Sequence, residues 1–236
     1  MKVSEHSARD KMRNLKLPSV SESLAELVGI HIGDGCLGSR TNRNEFLFQI
    51  TGHSLKDKEY YESFVVPLIR ELFNIEPRKR FKTSERTLEI KVYSKGAFNF
   101  LAKTFDLTIG KKKDIRIPRI FFASNALLKA CLRGIIDTDF FFSLNKKHVF
   151  LGAWFSEKSL VKDIEEAFSQ LGIQSKVYYD RGYFDARTGR YYNRHKIYIS
   201  TRKDLGSWCD LIGTHHPSIM SRYQCWKSGT AQTFKS

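Results

Sequence analysis

Two aspartates stand where paired carboxylates could hold a divalent cation. Asp34 follows Ala25, Gly29 and Gly33, and Asp139 follows Ala130, Gly134 and Thr138, small residues spaced four apart in both cases. That spacing makes one stripe of small side chains along a helix, so two such helices can pack backbone to backbone. The acids would then emerge side by side at the two C-terminal ends. Helix C-termini carry partial negative charge and like carboxylates repel, so the arrangement calls for a cation. Carboxylates with open positions for water and phosphate oxygens suit Mg²⁺, with Mn²⁺ able to substitute, and such sites serve phosphodiester hydrolysis. Gly33 and Thr138, immediately before the acids, complete the candidate metal set. Asp137 is the competing acid, but it lies two residues earlier and on another helix face.

The acids belong to an internal repeat. The segment from Leu24 to Asp34 aligns with Lys129 to Asp139 at a shift of 105 residues, matching Ala25 to Ala130 and Gly29 to Gly134. Each half reads as helix, strand, strand, helix, strand, strand, helix, an α+β class with two pseudo-symmetric αββαββα halves. A capping box, Ser23 with Glu26, places the first helix start near Ser23, and its counterpart falls near Ser124. Glu45 to Thr51 alternates as a half-buried strand, and His148 to Ser156 is its equivalent. Helices follow over Leu55 to Leu72 and Leu160 to Leu171. Hairpins pair Arg78–Lys82 with Thr87–Tyr93, and Lys176–Arg181 with Arg194–Ser200, the latter joined through Asp185 to Gly189. The expected division is an N-terminal arm over 1–20, a first half over 21–110, a basic linker over 111–123 and a second half over 124–236.

Charge points to a polyanion. The 236 residues carry 40 Lys+Arg against 25 Asp+Glu, a formal charge of +15, and are 41% hydrophobic, enough for a sizeable core. No apolar run suits a membrane span or a signal peptide, so the protein is expected inside a cell, in prokaryotic cytoplasm or an organelle. Cys36, Cys131, Cys209 and Cys225 are scattered, consistent with reduced thiols. The hairpins concentrate the charge, with seven Lys/Arg against two acids both between Arg78 and Lys95 and between Asp180 and Lys203. Leu88, Ile90 and Val92 would face a core with Glu89 and Lys91 outward, and Ile197 and Ile199 likewise with Lys196 and Tyr198 outward. Such outward faces can lie along a groove and read base edges. The candidate DNA-binding residues are Arg43, Glu45, Gln49, Thr51, Arg78, Arg80, Lys82, Arg86, Glu89 and Lys91 in the first half. In the second they are Lys176, Tyr178, Arg181, Arg187, Arg190, Arg194, Lys196 and Tyr198.

The segments Leu27-Val-Gly-Ile-His-Ile-Gly-Asp-Gly35 and Leu132-Arg-Gly-Ile-Ile-Asp-Thr-Asp-Phe140 resemble the two signature helices of a monomeric LAGLIDADG homing endonuclease. The likeness covers nearly the whole chain after about Val20. Gly110 to Pro118, and Ile212 to Pro217 with Trp226-Lys227, are similar to stretches common in archaeal and organellar members. The resemblance implies a saddle of two four-stranded antiparallel sheets in the major groove. It also implies Mg²⁺-dependent double-strand cleavage across the minor groove, leaving 3′ overhangs at a long, near-palindromic site, in the mobilisation of an intron or intein-like element. Asp34 and Asp139 take the metal-binding positions. A basic residue after the last helix of the first half organises water in the family, and Lys111 is the nearest match, with Lys113 next. Where the family often has Gln-Lys after the first long strand, this chain has Gly52-His53 and Glu157-Lys158, making Lys158 a catalytic candidate. The alternative on the same scaffold is an intron RNA maturase or a catalytically inactive nucleic-acid binder.

Gly35 suits a left-handed helix exit, whereas Phe140 in that conformation would cost ~1–2 kcal/mol, which puts the second helix end in question. Phe140, Phe141 and Phe142 read as core, as do Trp154, Trp208 and Trp226. His215-His216-Pro217 reads as a turn, with no third metal ligand at local spacing. The first twenty residues, with five Lys/Arg, read as a frayed end or a basic arm on phosphate. No splice-junction residues flank the repeat, which favours a free-standing protein.

Overall fold

The two repeats fold into two sheets held together by their first helices. The computed structural model describes residues 7–145, 148–179, 182–186 and 188–229. A short helix α1 (Ala8–Met12) precedes α2 (Glu22–Asp34). The α2 cap is Ser21, whose hydroxyl accepts from the Leu24 N–H. Ser23 is therefore inside the helix and no capping box forms there, because Glu26 is drawn to His215 and Arg133 instead. There follow β1 (Gly35–Arg40), β2 (Glu45–His53), α3 (Lys58–Tyr60), a π-helical turn (Tyr61–Val65), α4 (Val66–Phe73), β3 (Arg78–Lys82), β4 (Thr87–Tyr93) and α5 (Lys95–Phe105). The second half repeats the order as α6 (Asn125–Asp139), β5 (Phe141–Asn145), β6 (His148–Phe155), α7 (Lys158–Gln170), β7 (Lys176–Tyr178), β10 (His195–Ile199) and α8 (Arg202–Leu211), with α9 (Pro217–Lys227) added. Between β7 and β10 a two-stranded ribbon, β8 (Tyr183–Asp185) with β9 (Arg190–Tyr192), extends the hairpin. Its strands come from the stretch expected to be a plain loop.

Both four-stranded sheets are antiparallel, in the orders β1-β2-β4-β3 and β5-β6-β10-β7. Alternation sorts their faces. Phe48, Ile50, Leu88, Ile90 and Val92 are buried on one side of the first sheet, and Leu151, Ala153, Ile197 and Ile199 on one side of the second. The opposite face of the first sheet carries polar and charged residues, and that of the second mixes cations with aromatic rings.

The small-residue stripes meet as the spacing demands. A Cβ on Gly29 would lie 2.1 Å from the Cys131 carbonyl oxygen, and one on Gly134 would lie 2.2 Å from that of Glu26. Only glycine permits backbones to approach this closely. Both helices leave in extended conformation, Gly35 at φ −87°, ψ 161° and Phe140 at φ −87°, ψ 156°. The expected left-handed exit, and the penalty on Phe140, do not arise. Gly35 is needed for space, since its Cβ would fall 2.3 Å from His31 Nδ1. Phe140 is 5% exposed and packs near Phe155 and Phe168.

Residues 7–20 are docked rather than frayed. Buried Asp10 accepts from the Gly96 N–H at the start of α5, and Lys16 donates its backbone N–H to Phe73. The basic linker is also tied down: Arg116 grips Asp163 of α7 through two bonds of 2.7 and 2.6 Å, and Arg119 reaches Glu166 at 2.9 Å.

Candidate metal centre and nucleic-acid interface

Asp34 and Asp139 meet at the C-terminal ends of α2 and α6. A Cβ on Gly33 would lie 2.0 Å from Thr138 Oγ1 and 2.6 Å from Asp139 Oδ2, so the Asp139 carboxylate overlies the last turn of α2. Burial pushes the Asp34 carboxyl up to about 7, with a hydrogen bond from Tyr61 opposing and the neighbouring Asp139 adding to the rise. Asp139 is pushed up to about 6, again by burial, with Lys112 opposing. Two carboxylates this reluctant to ionise, offering hard oxygen donors from two helix ends, fit a divalent cation of the Mg²⁺ type.

Lys112 is the cation that faces them. Its Nζ donates to the carbonyls of His31, Ile32 and Gly33 at 3.0, 2.7 and 2.6 Å. An ammonium has three donors, and all three are used on the negative end of α2. Burial lowers its proton affinity, while Asp139 and Asp34 raise it. Lys111 and Lys113, the two lysines read from sequence, are exposed on either side. Gly110, at φ +83° just before them, donates its N–H to the Leu37 carbonyl of β1 at 2.7 Å. Of the two backbone positions in the metal set, the Gly33 carbonyl already accepts from Lys112, and the Thr138 hydroxyl folds back onto the carbonyls of Gly134 and Ile135. The structure does not bring Lys158 to this centre. It opens α7 with its ammonium 4.8 Å from the Tyr179 ring centroid.

Tyr61 supplies a contact that sequence reading missed. Its hydroxyl donates to Asp34 Oδ2 at 2.7 Å, and burial together with Asp34 raises its own pKa. Gly52 makes the room, since a Cβ there would sit 2.6 Å from the Tyr61 oxygen. Nothing in the local pattern separates Tyr61 from its core neighbour Tyr60. His53 turns away into a local loop, its Nδ1 accepting from the Leu55 and Lys56 N–H groups.

Asp137 sits elsewhere. It is 4% exposed and accepts from the Thr214 hydroxyl and the His215 N–H, and burial lifts it to about 6. His215 Nδ1 lies 2.6 Å from Glu26 Oε1, with Arg133 3.4 Å from the other Glu26 oxygen. The Glu26, Asp137 and His215 ligand atoms all lie within 4.8 Å of one another. Local spacing could not reveal this triad, because its members come from α2, α6 and the loop before α9. Each atom already has a protein partner, and the triad fastens that loop to the helix pair. His216 caps α9 and Pro217 opens it, as a turn reading requires.

The outward sheet faces carry most of the candidate nucleic-acid residues. Arg78 and Arg80 are exposed on β3, and Gln49 bonds Thr51 along β2 at 2.8 Å. Arg43 and Arg86 project from the hairpin turns, and Glu45 begins β2. Glu89 lies on the outer face yet is 5% exposed, because Lys82 and Lys91 cover it at 3.1 and 2.7 Å. On the second sheet Lys176, Tyr178, Lys196 and Tyr198 share the outer face with Arg194 beside them. Arg181, Arg187 and the Arg190 side chain lie outside the described residues.

Strand pairing makes the two faces comparable position by position. Cys36 pairs with Gln49 and Phe141 with Gly152; Gln49 then pairs with Lys91 and Gly152 with Tyr198. Phe141 thus occupies the place of Cys36, Trp154 that of Thr51, Tyr198 that of Lys91 and Tyr178 that of Arg80. Phe141 is 37% exposed and Trp154 40%, which corrects their reading as core residues. Phe142 and Trp208 are core.

Residues 126–213 match the family model described as a LAGLIDADG-like domain. The fold of the whole is also that of solved LAGLIDADG proteins. The homing endonuclease I-WcaI bound to its DNA recognition sequence matches at TM-score 0.60 and 17% identity, covering 94% of this chain and 95% of that one. I-DmoI in complex with DNA and Ca matches at 0.59 and 20%, covering 88% and 97%. I-DmoI in complex with DNA and Mn matches at 0.58 and 23%, covering 83% and 98%. Among curated proteins, the replication factor C small subunit of Methanocaldococcus jannaschii is 29% identical over 214 residues, 90% of this chain. The chain spans about 10% of that relative's length. Among the described residues no helix is long and apolar enough to cross a membrane. The LAGLIDADG resemblance seen in the two nonapeptides therefore extends to the sheet order of both halves.

Proposed function

We propose that this protein is a site-specific DNA endonuclease that makes a double-strand break with 3′ overhangs at a long, near-palindromic site, in the homing of an intron or intein-like element. The observation that carries the reading is the convergence of Asp34 and Asp139, both held above the usual carboxylate range, between two outward sheet faces rich in cationic and aromatic side chains. The duplex would lie with its major groove along both faces, in one half-site each, and its minor groove over the two acids.

Asp34 and Asp139 are the residues that would hold Mg²⁺ or Mn²⁺, with the Gly33 and Thr138 backbones nearest. When bound, the ion supplies charge neutralisation at the attacking and leaving oxygens of the phosphodiester. The chain's own part is positional. Tyr61 fixes the Asp34 carboxylate through one bond. Lys112 holds the end of α2 and leaves a positive charge beside both acids, where a scissile phosphate arrives. With its three N–H groups engaged, Lys112 acts as a positioning and electrostatic group while those bonds last. Lys111 and Lys158 serve on this reading as surface charges. The protein acts as a monomer, since one chain contains both halves.

Incubating the protein with a pooled duplex library in Mg²⁺ and in EDTA, beside Asp34→Asn, tests this. Discrete ends in Mg²⁺ alone, lost in the variant, are expected. Duplexes retained without cuts would overturn the enzyme reading in favour of a binding protein, with intron RNA the next ligand to try.

A further inference from the structure

The two sheet faces have the same geometry and different chemistry. In the first half, the positions of Thr51, Lys91 and Arg80 offer hydrogen-bond donors and acceptors. At the same positions the second half offers Trp154, Tyr198 and Tyr178. Phe141 stacks on Trp154 at 5.0 Å and 12° between planes, and Tyr178 on Tyr198 at 6.0 Å and 3°. Gly152 lets this layer close up, since a Cβ there would lie 2.6 Å from Tyr198 Cβ.

The rings are not left as bare apolar surface. Lys196 Nζ lies 4.3 Å from the Phe150 centroid, 5.4 Å from Trp154 and 4.5 Å from Tyr198, and Arg194 lies 4.8 Å from Trp154. A cation held over ring faces keeps its positive charge, and Trp154 stays exposed while Phe150 and Tyr198 are half-buried. A protein partner would leave those cations to be neutralised by acids of its own. A duplex brings phosphates to them in any case, and the face is continuous in symmetry with the cationic first sheet.

In the major groove, one base feature is apolar: the C5-methyl of thymine. We infer that the second half reads its half-site chiefly through apolar contact of Phe141, Trp154 and Tyr198 with thymine methyl groups, while the first half reads by hydrogen bonds. This rests on the endonuclease reading above and adds to it the base class of one half-site. The site is then chemically asymmetric, thymine-rich under the second sheet.

Deoxyuridine removes the methyl and preserves base pairing, so it isolates the contact. Starting from a duplex recovered in the library experiment, each thymine is replaced in turn by deoxyuridine, and binding is measured in EDTA by fluorescence anisotropy with wild type, Trp154→Ala and Phe141→Ser. The expected result is a loss of about fourfold per contacted methyl, the fold-change for ~0.8 kcal/mol of buried methyl-sized surface. That loss is confined to one half-site and shrinks in the Trp154 or Phe141 variant, both partly exposed positions. Binding and cleavage with no response to deoxyuridine in either half would overturn the inference and leave the endonuclease reading standing. Unchanged affinity and base preference in both variants would also overturn it. Failure to recover any bound duplex would remove both.

Discussion

Tyr61 donates its hydroxyl to Asp34 Oδ2 across 2.7 Å, a contact that reaches over 27 residues of chain. It passes through the gap left by Gly52. A hydrogen bond to a charged carboxylate is worth ~1.5–3 kcal/mol, and it favours the ionised form. Tyr61→Phe should therefore cut the cleavage rate by about tenfold or more while leaving duplex affinity within about twofold, and should move the acid limb of the pH–rate profile upward. Gly52→Ala should act in the same direction by displacing Tyr61. A profile identical to wild type in both variants would show that the contact has no catalytic consequence.

Ionisation of Asp34 opposes folding when no cation is present. Its folded-state value of about 7 lies above the ordinary 3.8, so the folded state holds the proton more tightly. From about pH 4 to 7 the unfolded chain has lost that proton and the folded one retains it, so this group's contribution falls as pH rises through the window. In EDTA, Asp34→Asn should gain on wild type in Tm between pH 5 and 8, at ~2–4 °C per kcal/mol for a chain of this size. Mg²⁺ should raise the wild-type Tm at pH 8 and leave the variant unmoved. A gap between the two proteins that does not widen with pH would count against the site's electrostatics.

Three consecutive lysines give a direct comparison. Lys112→Met removes all three donors from the end of α2 and the positive charge beside the acids, so both cleavage and Tm should fall, cleavage by about a hundredfold. Lys111→Met should change either by less than about twofold, because its side chain is exposed. The reverse order in single-turnover kinetics would return the role to Lys111.

The neighbouring acids should separate cleanly. Asp139→Asn should abolish cleavage at both strands. Asp137→Leu breaks the bonds to Thr214 and His215, and should lower Tm by several degrees while folded protein still cuts. An uncut duplex with fully folded Asp137→Leu, judged by near-UV circular dichroism, would contradict the division.

Arg119, on the basic linker, engages Glu166 at 2.9 Å and lies over Phe122 at 4.6 Å. Arg119→Ala should leave the slope of log Kd against log salt unchanged. Arg80→Ala, exposed on β3, should reduce the slope by about 0.9, as for one lost phosphate, or relax base preference if it meets a base edge. A salt slope that falls for Arg119 would instead assign it a phosphate contact.

The amino-acid sequence by itself determined the repeat, the order of elements and the pairing of Asp34 with Asp139, because period-four glycines and period-two strands are local signals with one packing solution. It also placed the first hairpin at Arg78–Lys82 and Thr87–Tyr93, where the strands are observed. Tertiary structure decided which of three adjacent lysines reaches the helix end, since Lys112 bonds the last carbonyls of α2 while Lys111 and Lys113 are exposed. It decided that Tyr61 rather than Tyr60 meets Asp34, and that Glu26, Asp137 and His215 come together, because these contacts join segments distant along the chain. It decided, too, that Phe141 and Trp154 face outward while Phe140 and Phe142 are buried. Alternation predicts two faces for a strand, but only the helices packed on one of them determine which is inside.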